Sequence, residues 1–196
     1  MHAPEVFIDG EKVVFEGTLP ATLGELRDLL ERVLGGGGRV LAALTIDGRE
    51  FRTEFSGTPL AEAARIEAAS MTIAAARERL RAASVASLAQ ARQFIQSLAA
   101  EVLRLPWDEA VGSCIRAAEM LGAVLQDLPA ATGELSPDHP VARAADELTR
   151  SLEQWMDAVQ ARDAAAVCLR SDSTVLPALA RLGGSLATLS SGAEAT

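Results

Sequence analysis

Tyrosine is absent from this 196-residue chain, and aromatic residues make up only 4% of it. A core built almost without rings must be aliphatic, drawn from Leu, Val, Ile and abundant Ala. Ala is the strongest helix former, so the scarcity already tilts the reading towards α-structure. Lysine is nearly missing too: Lys12 stands alone beside 17 arginines. Codon bias in a high-GC genome explains that imbalance more simply than selection for bidentate pairing. Basic residues number 18 against 27 acidic ones, for a net charge of −9. No Lys/Arg-rich run offsets the deficit. The mean field therefore repels a phosphate backbone, and nucleic acid is not expected as a partner.

Residues that carry chemistry are equally sparse. There are two histidines and two cysteines. His2 lies near the terminus, and His139 lies in a Pro-rich stretch beside Asp138. Neither has a nucleophile near it in sequence, so both read as solvated loop residues. Cys114 and Cys168 fall inside helical patterns with no metal or redox spacing, as two buried thiols of a reducing cytosol would. No G-x-S-x-G, Walker A or G-x-G-x-x-G motif occurs. The Glu-x-x-His pairs of a di-iron bundle are also missing. Catalysis, a metal and a cofactor are all unexpected. No apolar run approaches the roughly 20 residues of a membrane span, and residues 1–5 do not open a signal peptide. A cytoplasmic protein with no membrane insertion is expected.

What is present divides the chain into residues 1–72 and 73–196. In the first part Val6, Phe7 and Ile8 form a β-prone run, followed by Asp9-Gly10, a strong hairpin signal. Residues 12–16 supply the return strand. Thr22 and Glu25 make a capping box ahead of Leu23, Leu26, Leu29, Leu30 and Val33 at helical spacing. The glycine run 35–38 stops that helix. Residues 40–46 are the next strand, a second Asp-Gly comes after it at Asp47-Gly48, and residues 51–55 are candidates to continue the pairing. Arg65–Thr72 reads as a last strand or the start of a helix.

Hairpin, helix, strand, strand, short turn and strand, carried by residues 6–16, 22–34, 40–51 and 65–72, resembles a ubiquitin-like β-grasp domain. Modifiers and sulfur carriers of that fold end in a free diglycine tail, whereas here a helical region succeeds the last strand. The ferredoxin branch needs four cluster cysteines, and residues 1–80 have none. The resemblance therefore implies a docking surface on the exposed face of the sheet.

From residue 73 the pattern is helical. Leu88, Ala91, Ile95, Leu98, Val102 and Leu105 alternate steps of three and four, which places them on one stripe of a helix spanning 71–105. Pro106 opens a second helix striped by Trp107, Val111, Cys114, Ala118, Leu121, Leu125 and Leu128. The stretch 129–140 reads as a loop. A third helix carries Val141, Ala145, Leu148, Leu152, Trp155 and Val159. Asp163 caps a last segment, which Pro177 should kink or break and whose end, 190–196, should fray. Glu101–Arg104, Asp146–Arg150 and Asp28–Arg32 are spaced as surface ion pairs. The expected fold is α+β: a ubiquitin-like β-grasp domain followed by an antiparallel four-helix-bundle-like domain.

Asp172 stands out among the polar residues. If the last helix keeps the stripe Cys168, Asp172, Val175, Leu179 and Leu182, Asp172 lies on the buried seam and must be paired, hydrogen-bonded or neutral. Alternatively, the helix breaks around residues 171–173 and Asp172 caps a new helix that starts there. Asp172, Arg170 and His139 are the candidate binding residues, and Trp107 and Trp155 read as core anchors. Three classes of function stay open. The leading one is a non-enzymatic adaptor that binds another protein through its sheet face, sheet edge or bundle groove. The others are a homodimer pairing through the 71–105 stripe and an enzyme or small-molecule sensor with a pocket between head and bundle.

Overall fold

A computed structural model describes residues 4–15, 17 and 19–192. The readings of His2, of Glu16 as the end of a strand and of residues 193–196 lie outside the described residues. The protein is α+β, and it divides into two compact units, Met1–Ala76 and Arg77–Thr196.

The first unit is a five-stranded mixed sheet in the order β2-β1-β5-β3-β4. Its strands are β1 (Glu5–Ile8), β2 (Glu11–Val13), β3 (Arg39–Ile46), β4 (Arg49–Glu50) and β5 (Arg65–Thr72). β5 is central, parallel to β1 and antiparallel to β3. The sheet is compatible with the β-grasp head implied by the order of elements. Arg65–Thr72, open between strand and helix on sequence, is strand throughout.

Period-two alternation sends Val6, Ile66 and Ala68 to one face, where helix α1 (Leu23–Gly36) covers them with Leu23, Leu26 and Leu30. Burying each leucine contributes about 1.5–3 kcal/mol. β3 needs a correction to keep its apolar residues inside, because Leu41 and Leu44 are three apart. A register shift between Leu41 and Ala43 supplies the extra residue, a β-bulge.

The α1 cap forms as the sequence predicts. The Thr22 hydroxyl accepts the Glu25 N–H at 3.2 Å, and the Glu25 carboxylate reaches back to the Ala21 N–H at 2.8 Å. Two local expectations shift. Gly35 and Gly36 are helical, and the stop falls at Gly37 and at Gly38 (φ +69°). Thr53–Phe55 is a 3₁₀ turn rather than more strand, although the Phe51 N–H still bonds the Leu44 carbonyl at 2.8 Å.

Helix α2 (Ile73–Arg104) begins directly after β5. In the second unit it is succeeded by α3 (Trp107–Thr132), α4 (Pro140–Gln160), α5 (Ala164–Arg170) and α6 (Leu176–Gly192). All five contribute to one apolar core. The α2 stripe is buried from Leu88 to Val102, while Leu105 lies beyond the helix and is 42% exposed. In α3 the buried line is Ala110, Cys114, Ala117, Leu121, Val124 and Leu128, so Val111, Ala118 and Leu125 flank it rather than lead it. α3 also runs through Pro129 to Thr132, which shortens the expected loop. Arg32 and Arg150 donate to the carbonyls of Asp28 and Asp146, one turn back, instead of pairing with those carboxylates.

The last expected segment is two helices joined by a π turn, Ser171–Val175, with no break. The Leu176 N–H bonds the Ser171 carbonyl five residues back. Pro177 has no N–H to give, and in an α-helix its ring would clash with the carbonyl four residues earlier. The wider turn removes that conflict and inserts one residue into the winding.

Candidate functional site

The structure separates the three candidate residues of the sequence. Asp172 is exposed and accepts no hydrogen bond among the described residues. The π turn rotates Ser171 and Val175 into the core in its place. Asp172 therefore neither sits on a buried seam nor caps a new helix, because the helix does not stop. The Arg170 guanidinium turns back to the Gln154 carbonyl on α4. His139 is the N-cap of α4, and its Nδ1 accepts the Val141 N–H at 3.2 Å. Gln154 and His139 are 15 residues apart along α4, about 22 Å. These residues do not converge on one site.

The residue the π turn brings inward has a defined task. Trp155 Nε1 donates to the Ser171 hydroxyl at 2.9 Å and to the Val167 carbonyl at 3.2 Å. Ser171 itself donates to the Val167 carbonyl at 2.8 Å. Ser173 and Thr174 likewise donate to the carbonyls of Leu169 and Arg170. These hydroxyls bond carbonyls four residues back along a helix that continues. The cluster is a structural anchor for the indole.

Both cysteines are free. Cys114 is fully buried, and burial pushes its thiol up to about 11, with Cys168 and Glu101 adding repulsion. Burial and then Asp172 also raise the half-buried Cys168. Thiols held in the protonated form are poor nucleophiles. Among the described residues, no group of three His, Cys, Asp or Glu side chains could hold a metal ion. No helix among them is long and apolar enough to cross a membrane.

The first unit offers two open surfaces. On the outer sheet face the Arg65 guanidinium lies 4.3 Å from the centre of the Phe7 ring and pairs with Glu67 at 2.7 Å. Lys12 pairs with Glu5. Arg65, Glu67, Lys12 and Glu5 thus match one another on this face, whereas Glu50, set opposite Thr45 as Glu67 is, has no ion pair among the described residues. Two Asp-Gly turns hold its central strand. Asp9 (φ +52°) accepts the Ser70 N–H at 2.7 Å, the Ser70 hydroxyl at 2.6 Å and Arg39 at 3.0 Å. Asp47 (φ +49°) accepts the N–H groups of Ala64 and Arg65 at 3.1 and 2.7 Å. The Ser70 hydroxyl and N–H, with Arg39 beside them, hold the Asp9 carboxyl below its ordinary range.

The second surface is a hollow of about 360 Å³ beside the edge strand β4. Leu23, Ile46, Phe51 and Phe55 give it an apolar lining. Phe55 reaches this lining from the 3₁₀ turn Thr53–Phe55 and is 43% exposed. Asp47, Arg49, Glu50 and Glu62 also line it. Sequence patterns do not reveal this site, because its parts are far apart in the chain. The second unit carries an open groove of about 590 Å³ between α3 and α4, floored by Leu125 and Leu128 and bordered by Arg77, Glu134 and Asp146.

The chain matches no family model, no curated protein and no solved structure.

Proposed function

We propose that this chain is a non-enzymatic protein-protein interaction protein, an adaptor that docks a partner through its β-grasp-like unit. The observation that carries this reading is the hollow beside β4, a concave apolar surface with a half-exposed phenyl ring at an open sheet edge. Aromatic residues, Phe included, are enriched in protein interfaces relative to the rest of the surface. The sheet face is the lesser surface, since Arg65, Glu67, Lys12 and Glu5 on it already pair with one another. Pairing of two copies through the α2 stripe is disfavoured, because Leu88, Ala91, Ile95, Leu98 and Val102 are consumed inside the second unit. Two free thiols fit a reducing compartment such as the cytosol.

The test is comparative capture from extract of the native organism. Phe55→Ser removes the anchor ring, and Val33→Ser alters an exposed apolar residue on α1, 58% accessible, away from the hollow. The proposal expects one protein retained by wild type and Val33→Ser and lost with Phe55→Ser, all three having the same far-UV spectrum. Capture that ignores Phe55, or none at all, overturns docking at this surface.

A further inference from the structure

Resting on the docking reading, we infer that an extended partner segment adds to the sheet as a further strand, antiparallel to β4, with an apolar, a basic and an acidic residue, in that order, set against Phe51, Glu50 and Arg49. β4 is an edge strand, and both of its residues are exposed. Its register fixes which backbone groups are open. Ile46 faces Arg49 across the Asp47-Gly48 turn, Thr45 faces Glu50, and the Phe51 N–H bonds the Leu44 carbonyl at 2.8 Å. Bonded residues alternate along such a ladder, so Arg49 and Phe51 bond towards β3 and Glu50 turns its N–H and C=O outwards. An antiparallel segment engages both groups with one residue, which suits an edge this short. Strand addition takes its affinity from main-chain bonds and its selectivity from pockets for alternate side chains.

The same register separates the side chains. Glu50 lies on the outer face with Thr45, whereas Arg49 and Phe51 lie on the side of Ile46 and the hollow. The residue against Phe51 therefore reaches the apolar lining of Leu23, Ile46 and Phe55. The residue against Glu50 meets a carboxylate without a hydrogen bond or ion pair among the described residues, and the one against Arg49 meets a guanidinium equally free. Direct cross-strand partners stand about 4.5–5.5 Å apart at Cβ and diagonal ones, such as Arg52 for the basic residue, about 7–8 Å, so the direct pairs decide. Of the other acids on the hollow, Asp47 is held by the Ala64 and Arg65 N–H groups. Glu62 comes from the 3₁₀ turn Leu60–Glu62 and has no place in the ladder. A segment with the two charges reversed sets like against like at both positions.

The test titrates capped pentapeptides into the ¹⁵N-labelled full chain. Acetyl-Thr-Leu-Lys-Glu-Thr-amide carries the inferred order. Acetyl-Thr-Leu-Glu-Lys-Thr-amide has the same composition and net charge with the order reversed, so the overall field of the protein acts on both alike. The first is expected to shift the amides of Leu23, Glu50, Phe51 and Phe55 and to bind about fivefold more tightly than the second. N-methylation of its Lys amide removes the donor to the Glu50 carbonyl and should weaken it about fivefold. The same group on its Leu amide, which points away from β4, should cost little. Exchanging the charges of the edge, Arg49→Glu with Glu50→Lys, should invert the preference between the peptides. Equal binding of the two peptides, a preference that the exchanged chain keeps, N-methylation that costs the same at either amide, or no localised shift overturns the inference. Peptides that bind in the hollow without regard to order would do so while leaving the docking reading standing. Order-dependent binding without Phe55-dependent capture would support the inference and sink the adaptor reading alone.

Discussion

Removing the Ser171 hydroxyl is the sharpest perturbation of the second unit. Ser171 is 2% exposed, and its oxygen stands between Trp155 Nε1 at 2.9 Å and the Val167 carbonyl at 2.8 Å. In Ser171→Ala both of these bonds go. No group is orphaned, because Trp155 Nε1 also faces the Val167 carbonyl at 3.2 Å. An intramolecular hydrogen bond contributes about 0.5–1.5 kcal/mol net, whereas an unsatisfied buried donor costs up to about 3 kcal/mol. The expected loss is therefore about 1 kcal/mol. Trp155→Phe removes the donor and part of the ring volume, and should cost more. The two changes made together should fall short of additivity by about 0.5–1 kcal/mol, since they cut one shared bond. Urea unfolding followed by far-UV circular dichroism measures all three variants. Asp172→Asn, one residue along but exposed, is the control and should stay within about 0.5 kcal/mol of wild type. A Ser171→Ala loss near zero would show that the hydroxyl does not bridge. A loss near 3 kcal/mol would show that the Val167 carbonyl gives the indole no second acceptor.

Asp9 has a depressed carboxyl in the folded state, so the stability it contributes is present above the ordinary carboxylate range and is lost as pH falls through that range and below. Asp9→Asn keeps a residue tolerant of the left-handed backbone and removes the titration. Unfolding measured from pH 7 to pH 2.5 should show wild type losing stability more steeply than the variant below about pH 4, and parallel profiles would refute the link. Gly133 combines φ +75° and ψ −165° with a guanidinium 3.1 Å from where a Cβ would lie, that of Arg77. Gly133→Ala should cost about 1–3 kcal/mol in the same urea assay, and a neutral result would mean the turn relaxes without strain. Gln90 is exposed in the middle of α2. Gln90→Pro should destabilise by about 3 kcal/mol or more through the backbone alone, and unchanged helical content would contradict a continuous α2.

Elements with a strong local signal were legible from the residues. The two Asp-Gly turns, the Thr22–Glu25 cap and the α2 stripe from Leu88 to Val102 each depend on neighbours within a few positions. Hidden features depend on partners far away. The carboxylates of Asp9 and Asp47 looked like turn formers, and the turn chemistry alone explained them. Their bonds to Ser70, Ala64 and Arg65 exist only because the fold places β5 beside both turns. The hollow is similar: Leu23 opens α1, Ile46 ends β3, and Phe51 and Phe55 come after β4. Phe51 and Phe55 read as further strand because aromatic residues favour strands, but Phe55 turns back through a 3₁₀ turn.

The π turn shows a different obstacle, in which the same residue types fit two opposite roles. Ser171, Ser173 and Thr174 are cap-type residues, and a cap implies a helix end. The same hydroxyls can also bond a carbonyl four residues back, which requires a helix to continue. All three do so here. What separates the two cases is the apolar spacing on either side. Val167, Ser171 and Val175 are buried at successive steps of four. Such steps drift off the face of an α-helix, where the repeat is 3.6 residues, so a stripe anchored on Cys168 brings Asp172 inward. A wider turn takes up the drift, and the buried line then resumes with Ala178, Leu179, Leu182 and Leu186. Consecutive steps of four next to hydroxyl residues and a proline two positions beyond therefore argue for a π turn rather than a break, and the side chain turned outward is the charged one.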